Sequence, residues 1–320
     1  MKNPLVSVVV INYNEKNLLK TVIDSIYSLD YKNIELLVVD NASTDGSKEF
    51  IEKNYKKVIL VKNRKNLGYV GLNSAVKHCK GDYILFLNND LELDKKSLTL
   101  LLDAAQKTKA AMAAPRLVNT HDKSLKSGGT WVSRAFYNGH LKSRGDEKIR
   151  EIPYLGVGLI EKKVVDDFGY LFDDDYFIYS EDLDLGLRLR LIGNKVIFVP
   201  TAVMYHLHSA TMGKSKGYKR TFLLEKNLLT TMIKNLYWRN IIIFFPYALL
   251  MRLIAAARDF FTLEFMTGFA RIYAFFWVFL NIGSILKKRA RLQKLRKMPD
   301  SYVLKLFSEN EVFKLKKFNV

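Results

Sequence analysis

Five polar clusters in this chain hold residues able to do chemistry: Asn12-Tyr13-Asn14, Asp40 to Ser47, Asn88-Asn89-Asp90, Glu181-Asp182 and His206. The first three each follow an apolar run that reads as a strand. In α/β sheets ligands bind beyond the carboxyl ends of the strands, so one pocket can gather all three. No GxGxxG follows the first strand, and GxxxxGK[ST] occurs nowhere. A nucleotide bound here would be held by side chains and a metal rather than by a glycine loop. Glu181-Asp182 opens a helix with apolar periodicity (Leu183, Leu187, Leu191), and Ser180 is its cap residue. Acids in a first helical turn complement the helix dipole by about 0.3–1 kcal/mol each. Alternatively, one of them accepts a proton from a substrate hydroxyl.

The elements that must position these clusters alternate. Val6–Ile11, Ile34–Val39, Val58–Val61 and Tyr83–Leu87 read as buried strands. Between them, residues 15–29 carry Leu18, Leu19, Val22, Ile23, Ile26 and Leu29 at helical spacing. Further helices are expected near 47–54, over 69–79 and around Leu98–Leu102. Strands alternating with helices argue for a parallel α/β sheet covered on both faces.

The chain has 320 residues, enough for one large domain with an appendage or for two domains. Hydrophobic residues at 49% and charged residues at 26% exclude a disordered or collagen-like chain. A single cysteine, Cys79, excludes a disulfide framework and any multi-cysteine metal site. The formal net charge of +19 points to anionic partners: nucleotide phosphates, nucleic acid or acidic lipid. The N-terminus lacks the pattern of a signal peptide, so the chain is expected to start in the cytoplasm.

Seven segments stand in order: VVVINYNE (8–15), LLVVDNASTDGS (36–47), KNLGYVGLNSAV (65–76), GDYILFLNNDLEL (81–93), GVGLIEKK (156–163), FGYLFDDDYFIYSEDLDLGLRLRLIG (168–193) and VPTAVMYHLHSA (199–210). In this order and spacing the chain resembles the family 2 glycosyltransferases, in their rhamnosyltransferase-like branch, over about residues 5–210. The resemblance implies a GT-A fold, a Rossmann-like, mostly parallel sheet flanked by helices. It also implies a nucleotide-diphosphate sugar donor, Mg²⁺ or Mn²⁺, and inversion at the anomeric carbon. It divides the chain into a nucleotide-sugar-binding half (1–115), an acceptor-binding and catalytic half (116–210), and a C-terminal apolar helical region (211–320).

The same resemblance assigns roles. Asp40 accepts the N3–H of the nucleobase, with Tyr13 stacking or flanking it and Asn14 beside it. Asn66, Gly68 and Asn73 lie around the ribose and diphosphate. Asp90 is the metal ligand of the Asn88-Asn89-Asp90 motif, where the family nominally has Asp-x-Asp. Asn89 is a weak ligand or a ribose contact. His206, rather than His208, is a second metal ligand. Asp182 is the base, and Glu181 an acceptor partner or the base itself. Gly156 and Gly158 border the acceptor, and Trp131 in a glycine-rich hairpin offers a stacking surface. Asp184 is expected to face solvent or to support the helix, and Asp173 to Asp175 to form a solvated turn without a role.

The last third changes character. Residues 214–239 hold seven Lys/Arg against one acid, and Lys287–Lys297 holds seven in eleven residues. Asn240–Ala257 and Ile272–Leu286 are apolar, yet shorter than the ~20 residues of a clean span. In-plane or re-entrant helices on an anionic membrane surface fit this pattern through residues 211–297, placing the enzyme peripherally or monotopically on the cytoplasmic face of the cell membrane. A buried helical pair, a homodimer interface and a spanning hairpin are the alternatives. The predicted activity is sugar transfer to a hydroxyl of a lipid-linked glycan or cell-surface polysaccharide precursor. The other readings are an inactive scaffold and a nucleic-acid binder. The second is disfavoured because the charge crowds beside apolar segments, so no nucleic acid is expected.

Overall fold

The computed structural model describes residues 3–119, 125–143, 145–206 and 217–308. A ten-stranded sheet runs through the molecule in the strand order 150–151, 196–206, 112–119, 158–161, 83–88, 6–12, 34–40 and 59–62, with 91–93 added beside 196–206 and 125–127 beside 112–119. The parallel half is β1 (Val6–Asn12), β2 (Ile34–Asp40), β3 (Ile59–Lys62) and β4 (Tyr83–Asn88). Its helices α1 (Lys16–Ser28) and α2 (Ser47–Asn54) stand where the periodicity predicts.

The second half departs from the expected mostly parallel sheet. β11 (Gly158–Glu161) runs antiparallel to both β4 and β6 (Met112–Asn119), whereas β12 (Val196–His206) runs parallel to β6. The sheet is therefore mixed. β5 (Leu91–Leu93) turns back against β12 and pairs Leu91 with His206. The helix expected over 69–79 is also different. A 3₁₀ turn covers Gly68–Leu72, and only Asn73–Val76 (α3) is α-helical. Gly68 holds φ +65° and its backbone lies against that of Phe177, where a Cβ would stand 2.2 Å from the carbonyl oxygen. That contact fixes the local path in place of a regular helix.

Helix α4 (Ser97–Thr108) packs on the sheet, and α5 (Lys162–Phe168) and α6 (Glu181–Leu191) follow. β8 (Thr130–Val132) and β9 (Asn138–His140) form a separate hairpin, and β7 (Leu125–Ser127) and β10 (Arg150–Glu151) are edge pieces. The C-terminal third is helical: α7 (Tyr218–Asn235), α8 (Trp238–Phe261), α9 (Phe265–Leu280), α10 (Ile282–Leu295) and α11 (Ser301–Leu304).

No separate core marks a boundary at residue 210. Leu183, Leu187 and Leu191 of α6 share one apolar cluster with Leu228 and Met232 of α7. Buried charges tie the same elements. Asp173 is 3% exposed, not solvated, and pairs with Lys234 of α7 and Lys288 of α10. Asp184 is fully buried rather than solvent-facing. It accepts from Arg188 Nε at 2.8 Å and Asn235 Nδ2 at 3.0 Å, and Lys234 Nζ stands 3.0 Å away. The lysines hold the Asp173 carboxyl well below the usual carboxylate range against its burial.

The apolar helices are longer than the sequence suggests. α8 has 24 residues with mean hydropathy 1.8 over its best window and is long and apolar enough to cross a membrane. α9 and α10 reach that length only together, and they bend by 68°. Arg252, which would be costly in a bilayer, is fully buried against protein. Its Nε lies 2.7 Å from Glu225 Oε2, and Nη1 donates to the Ala135 carbonyl at 2.8 Å. The outer faces of α8 and α9 are exposed and apolar, with Ile242, Phe276, Phe279 and Leu280 all facing out.

Candidate active site

The strand ends meet as expected, joined by asparagines. Asn12 Oδ1 accepts from Asn89 Nδ2 at 2.7 Å, and Asn12 Nδ2 donates to Ser43 Oγ at 3.3 Å. Asp40 is 1% exposed at the end of β2. Its Oδ2 accepts from the Ser43 amide at 3.0 Å, whereas its Oδ1 is buried without a protein partner. An unmatched buried acceptor is expensive, and a ligand N–H would satisfy it. Tyr13 beside it is exposed. Asn14 takes φ 55°, and its Oδ1 accepts from the Thr44 amide at 2.7 Å, so its side chain shapes the turn.

Asn66 and Asn73 are both engaged within the protein, Asn73 completely. Asn66 Oδ1 accepts from the Gly68 amide at 2.8 Å, closing the turn. Asn73 donates to the Phe172 carbonyl and Asp174 Oδ1 and accepts from the amides of Leu171 and Phe172. The whole Asn73 amide and the Asn66 oxygen are committed to the protein. With Gly68, they lock this passage onto the segment that leads to Glu181.

A cavity of 470 Å³ gathers Glu181, Asp182, Gly156, Asn88, Tyr179 and His206. The segment entering it is strained: Phe177, Tyr179 and Ser180 all take positive φ, at 59°, 72° and 61°. Such conformations cost about 1–3 kcal/mol each and persist where the surroundings over-determine them. Asn227 of α7 supplies part of that determination by donating to the carbonyls of Tyr176, Ile178 and Tyr179.

Glu181 is 6% exposed, and its Oε2 has no hydrogen-bond partner. Burial and the adjacent Asp182 charge push its carboxyl well above the usual range. Asp182 is half-buried, accepts from the Leu183 amide at 2.8 Å, and is pushed up to about 6 by burial. A carboxyl poised near neutrality in a cavity is suited to general-base work. Gly156 faces it: a Cβ there would lie 3.0 Å from Asp182 Oδ2. Gly158 stands inside β11, where a Cβ would meet the Ala113 carbonyl at 2.8 Å, and serves strand packing rather than the cavity wall.

The β5–β12 pairing places His206 Nε2 at 3.3 Å from Asp90 Oδ2. Asp90 Oδ1 is buried without a partner, as is Asn88 Oδ1. Among the described residues no three His, Cys, Asp or Glu side chains converge as a metal cage. One carboxylate and one imidazole nonetheless fit Mn²⁺ or Mg²⁺, whose sites use few protein ligands and complete the shell with phosphate oxygens and water. His208 lies outside the described residues.

The hairpin reaches the cavity through other residues than expected. Trp131 is 4% exposed and its indole packs on Gly139, away from the lining. Asn138 and His140, on the partner strand, line the cavity, and His140 Nδ1 is 2.9 Å from Ser127 Oγ. Their alternation along β9 is the only sequence signal, and three residues are too few to read it.

The family model described as "Glycosyl transferase family 2" matches residues 7–156. That match spans just under half of the chain and makes this part similar to glycosyl transferase family 2. Among relatives, the chain is 26% identical over 239 residues to N-acetylglucosaminyl-diphospho-decaprenol L-rhamnosyltransferase of Mycobacterium tuberculosis (strain ATCC 25618 / H37Rv), covering 65% of this chain and 77% of that one. It is 39% identical over 88 residues to the Escherichia coli UDP-Glc:alpha-D-GlcNAc-diphosphoundecaprenol beta-1,3-glucosyltransferase WfaP, covering 27% of this chain and 35% of that one. Its fold is that of the GT-A glycosyltransferases. GalNAc-T7, solved with UDP, GalNAc and Mn²⁺, superposes with a TM-score of 0.59 at 17% identity, over 72% of this chain and 48% of that one. S. aureus TarS 1-349 in complex with UDP superposes at 0.54 and 16% identity, over 72% and 66%. The chain thus spans about half of the first of these structures.

Proposed function

We propose that this glycosyltransferase moves a sugar from a nucleoside diphosphate, a UDP- or dTDP-sugar such as dTDP-rhamnose, to a hydroxyl of a lipid-linked glycan or polysaccharide precursor, with inversion. The observation that carries this reading is the poised Asp182 carboxylate sharing one cavity with His206, itself beside Asp90. Asp182 takes the acceptor proton as that oxygen bonds to the anomeric carbon, and the bond from that carbon to the diphosphate breaks with its electron pair leaving on the phosphate. A positioned base of this kind contributes roughly 10²–10⁴ in rate. Glu181, kept protonated by its burial, donates a hydrogen bond to the acceptor. Asp40 Oδ1 accepts from the base of the donor, with Tyr13 against the ring. Asp90 and His206 would hold a divalent cation, with Asn89 at the strand end beside them. Such a cation neutralises charge on the departing diphosphate.

The exposed apolar faces of α8 and α9 support membrane attachment, with the catalytic cavity in the cytoplasm. The lipid-linked substrates in the names of two relatives support an acceptor borne by that membrane. A thermal-shift panel of UDP, dTDP, GDP, CDP and ADP, each with and without Mn²⁺ or Mg²⁺, tests the donor site. A cation-dependent rise with UDP or dTDP is expected, and Asp90→Ala abolishes it. Asp182→Asn leaves that rise intact and abolishes transfer. Folded protein that no diphosphate stabilises overturns the reading.

A further inference from the structure

A second concavity, a groove of 710 Å³, lies where α7 begins and α8 turns into α9. Its walls divide by chemistry. Arg220 and Arg258 are exposed on one side, and Leu263, Phe265 and Met266 are exposed around the turn. The other charged groups facing it are Arg271, Asp259 and Glu264. Asp259 is fully engaged. Its Oδ1 receives Arg258 at 2.9 Å and its Oδ2 receives Arg271 at 2.8 Å, while Arg271 also pairs with Glu225. Subtracting those internal pairs leaves Arg220 and the outer part of Arg258 facing Glu264 alone. The groove adjoins the catalytic cavity, with Leu224 lining both. The charge of Arg220 also reaches Tyr179, a cavity residue.

A ligand suited to this groove needs an anionic head for the arginines, a long apolar tail for the turn, and a third end that extends past Leu224. We infer that the groove seats the diphosphate and the first isoprene units of a polyprenyl-diphosphate acceptor, delivering its sugar hydroxyl to Asp182. This rests on the glycosyl-transfer reading and adds the place where the lipid carrier is gripped. Guanidinium groups bind diphosphate oxygens in bidentate fashion, which separates such a site from simple attraction to an acidic surface.

Geranylgeranyl diphosphate is the test probe, titrated calorimetrically into the full chain in neutral detergent micelles with UDP and Mg²⁺ saturating, so that the donor site is filled. Geranylgeraniol, inorganic diphosphate and phosphatidylglycerol are the comparison arms. The wild type is expected to bind geranylgeranyl diphosphate at least about tenfold tighter than any of the three, a margin that a pair of charge-assisted contacts can supply. R220A/R258A should lose that margin. Both arginines are exposed and Asp259 keeps Arg271, so the variant stays folded, as a cooperative melt and a retained UDP shift would show even where losing the Arg258–Asp259 pair lowers the melting temperature. Equal affinity of variant and wild type for the probe overturns the inference. Equal affinity of the wild type for phosphatidylglycerol also overturns it, in favour of general lipid attraction. An absent UDP shift in both proteins, with the probe still discriminated, overturns the donor reading and leaves the groove standing.

Discussion

Gly156 presents bare backbone to the carboxylate of Asp182, with a Cβ position only 3.0 Å from Oδ2. In the proposed mechanism this spacing keeps open the place where an acceptor hydroxyl loses its proton. Tyr69 fixes that backbone from behind, its hydroxyl donating to the Gly156 carbonyl at 2.6 Å. Gly156→Ala should therefore lower kcat by about ten- to a hundredfold, since small misplacements at a reacting centre carry such costs. Diphosphate-induced stabilisation should not change. A variant with wild-type turnover would remove Gly156 from the acceptor wall.

As the proposed base, Asp182 should set the acid limb of the pH profile. Its carboxyl is pushed up to about 6, and only the ionised form accepts a proton. Turnover should be flat above pH 7 and fall about tenfold at pH 5. The stability sign is opposite. Between the ordinary carboxyl value and 6, the folded state binds more protons than the unfolded one, so stability declines as pH rises through that window. Asp182→Asn should raise the melting temperature at pH 8 and leave it unchanged at pH 3. Melting curves that are identical at both pH values would refute the burial of this charge.

Lys234 holds two buried acids at once. Lys234→Ala leaves Asp173 to Lys288 and Asp184 to Arg188 and Asn235. Removing one member of a buried ion network costs about 3–5 kcal/mol, so a melting point lower by roughly 10 °C is expected. Truncation at residue 210 should give insoluble protein for the same reason, because α7 and α10 supply both lysines. A soluble, cooperatively folding fragment would show the catalytic half to be independent.

Phe276, Phe279 and Leu280 stand exposed on α9 and touch no core. Replacing all three by serine should leave the melting temperature within a degree or two. Each large apolar side chain contributes about 1.5–3 kcal/mol when buried, so sedimentation with phosphatidylcholine–phosphatidylglycerol vesicles should fall by at least tenfold. Vesicle binding equal to wild type would move the membrane contact elsewhere.

Much of the site was legible because its signals are local. A β-branched run followed by a polar cluster announces a strand end, and the ordered set of clusters announced the family. Among the residues so singled out, the fold brings Glu181, Asp182 and His206 to one cavity and sets Asp90 beside His206. Asn73 and Trp131 turn inward to protein partners for one shared reason. An amide or an indole is equally suited to ligand or protein, and only the partner across the chain decides. For Asn73 that partner is 98 residues away in sequence.

The apolar periodicity, the strand-end polar clusters and the basic, apolar character of the last third were all determined by the sequence itself, since each follows from short-range pattern. Tertiary structure alone decided that β5 turns back to set His206 beside Asp90. It also decided that Arg252 is neutralised by Glu225 instead of meeting lipid, and that Lys234 and Lys288 clamp the acids ahead of the catalytic helix. Charges this far apart in the chain become partners only when the packed core removes water from between them, and no window of sequence contains that event.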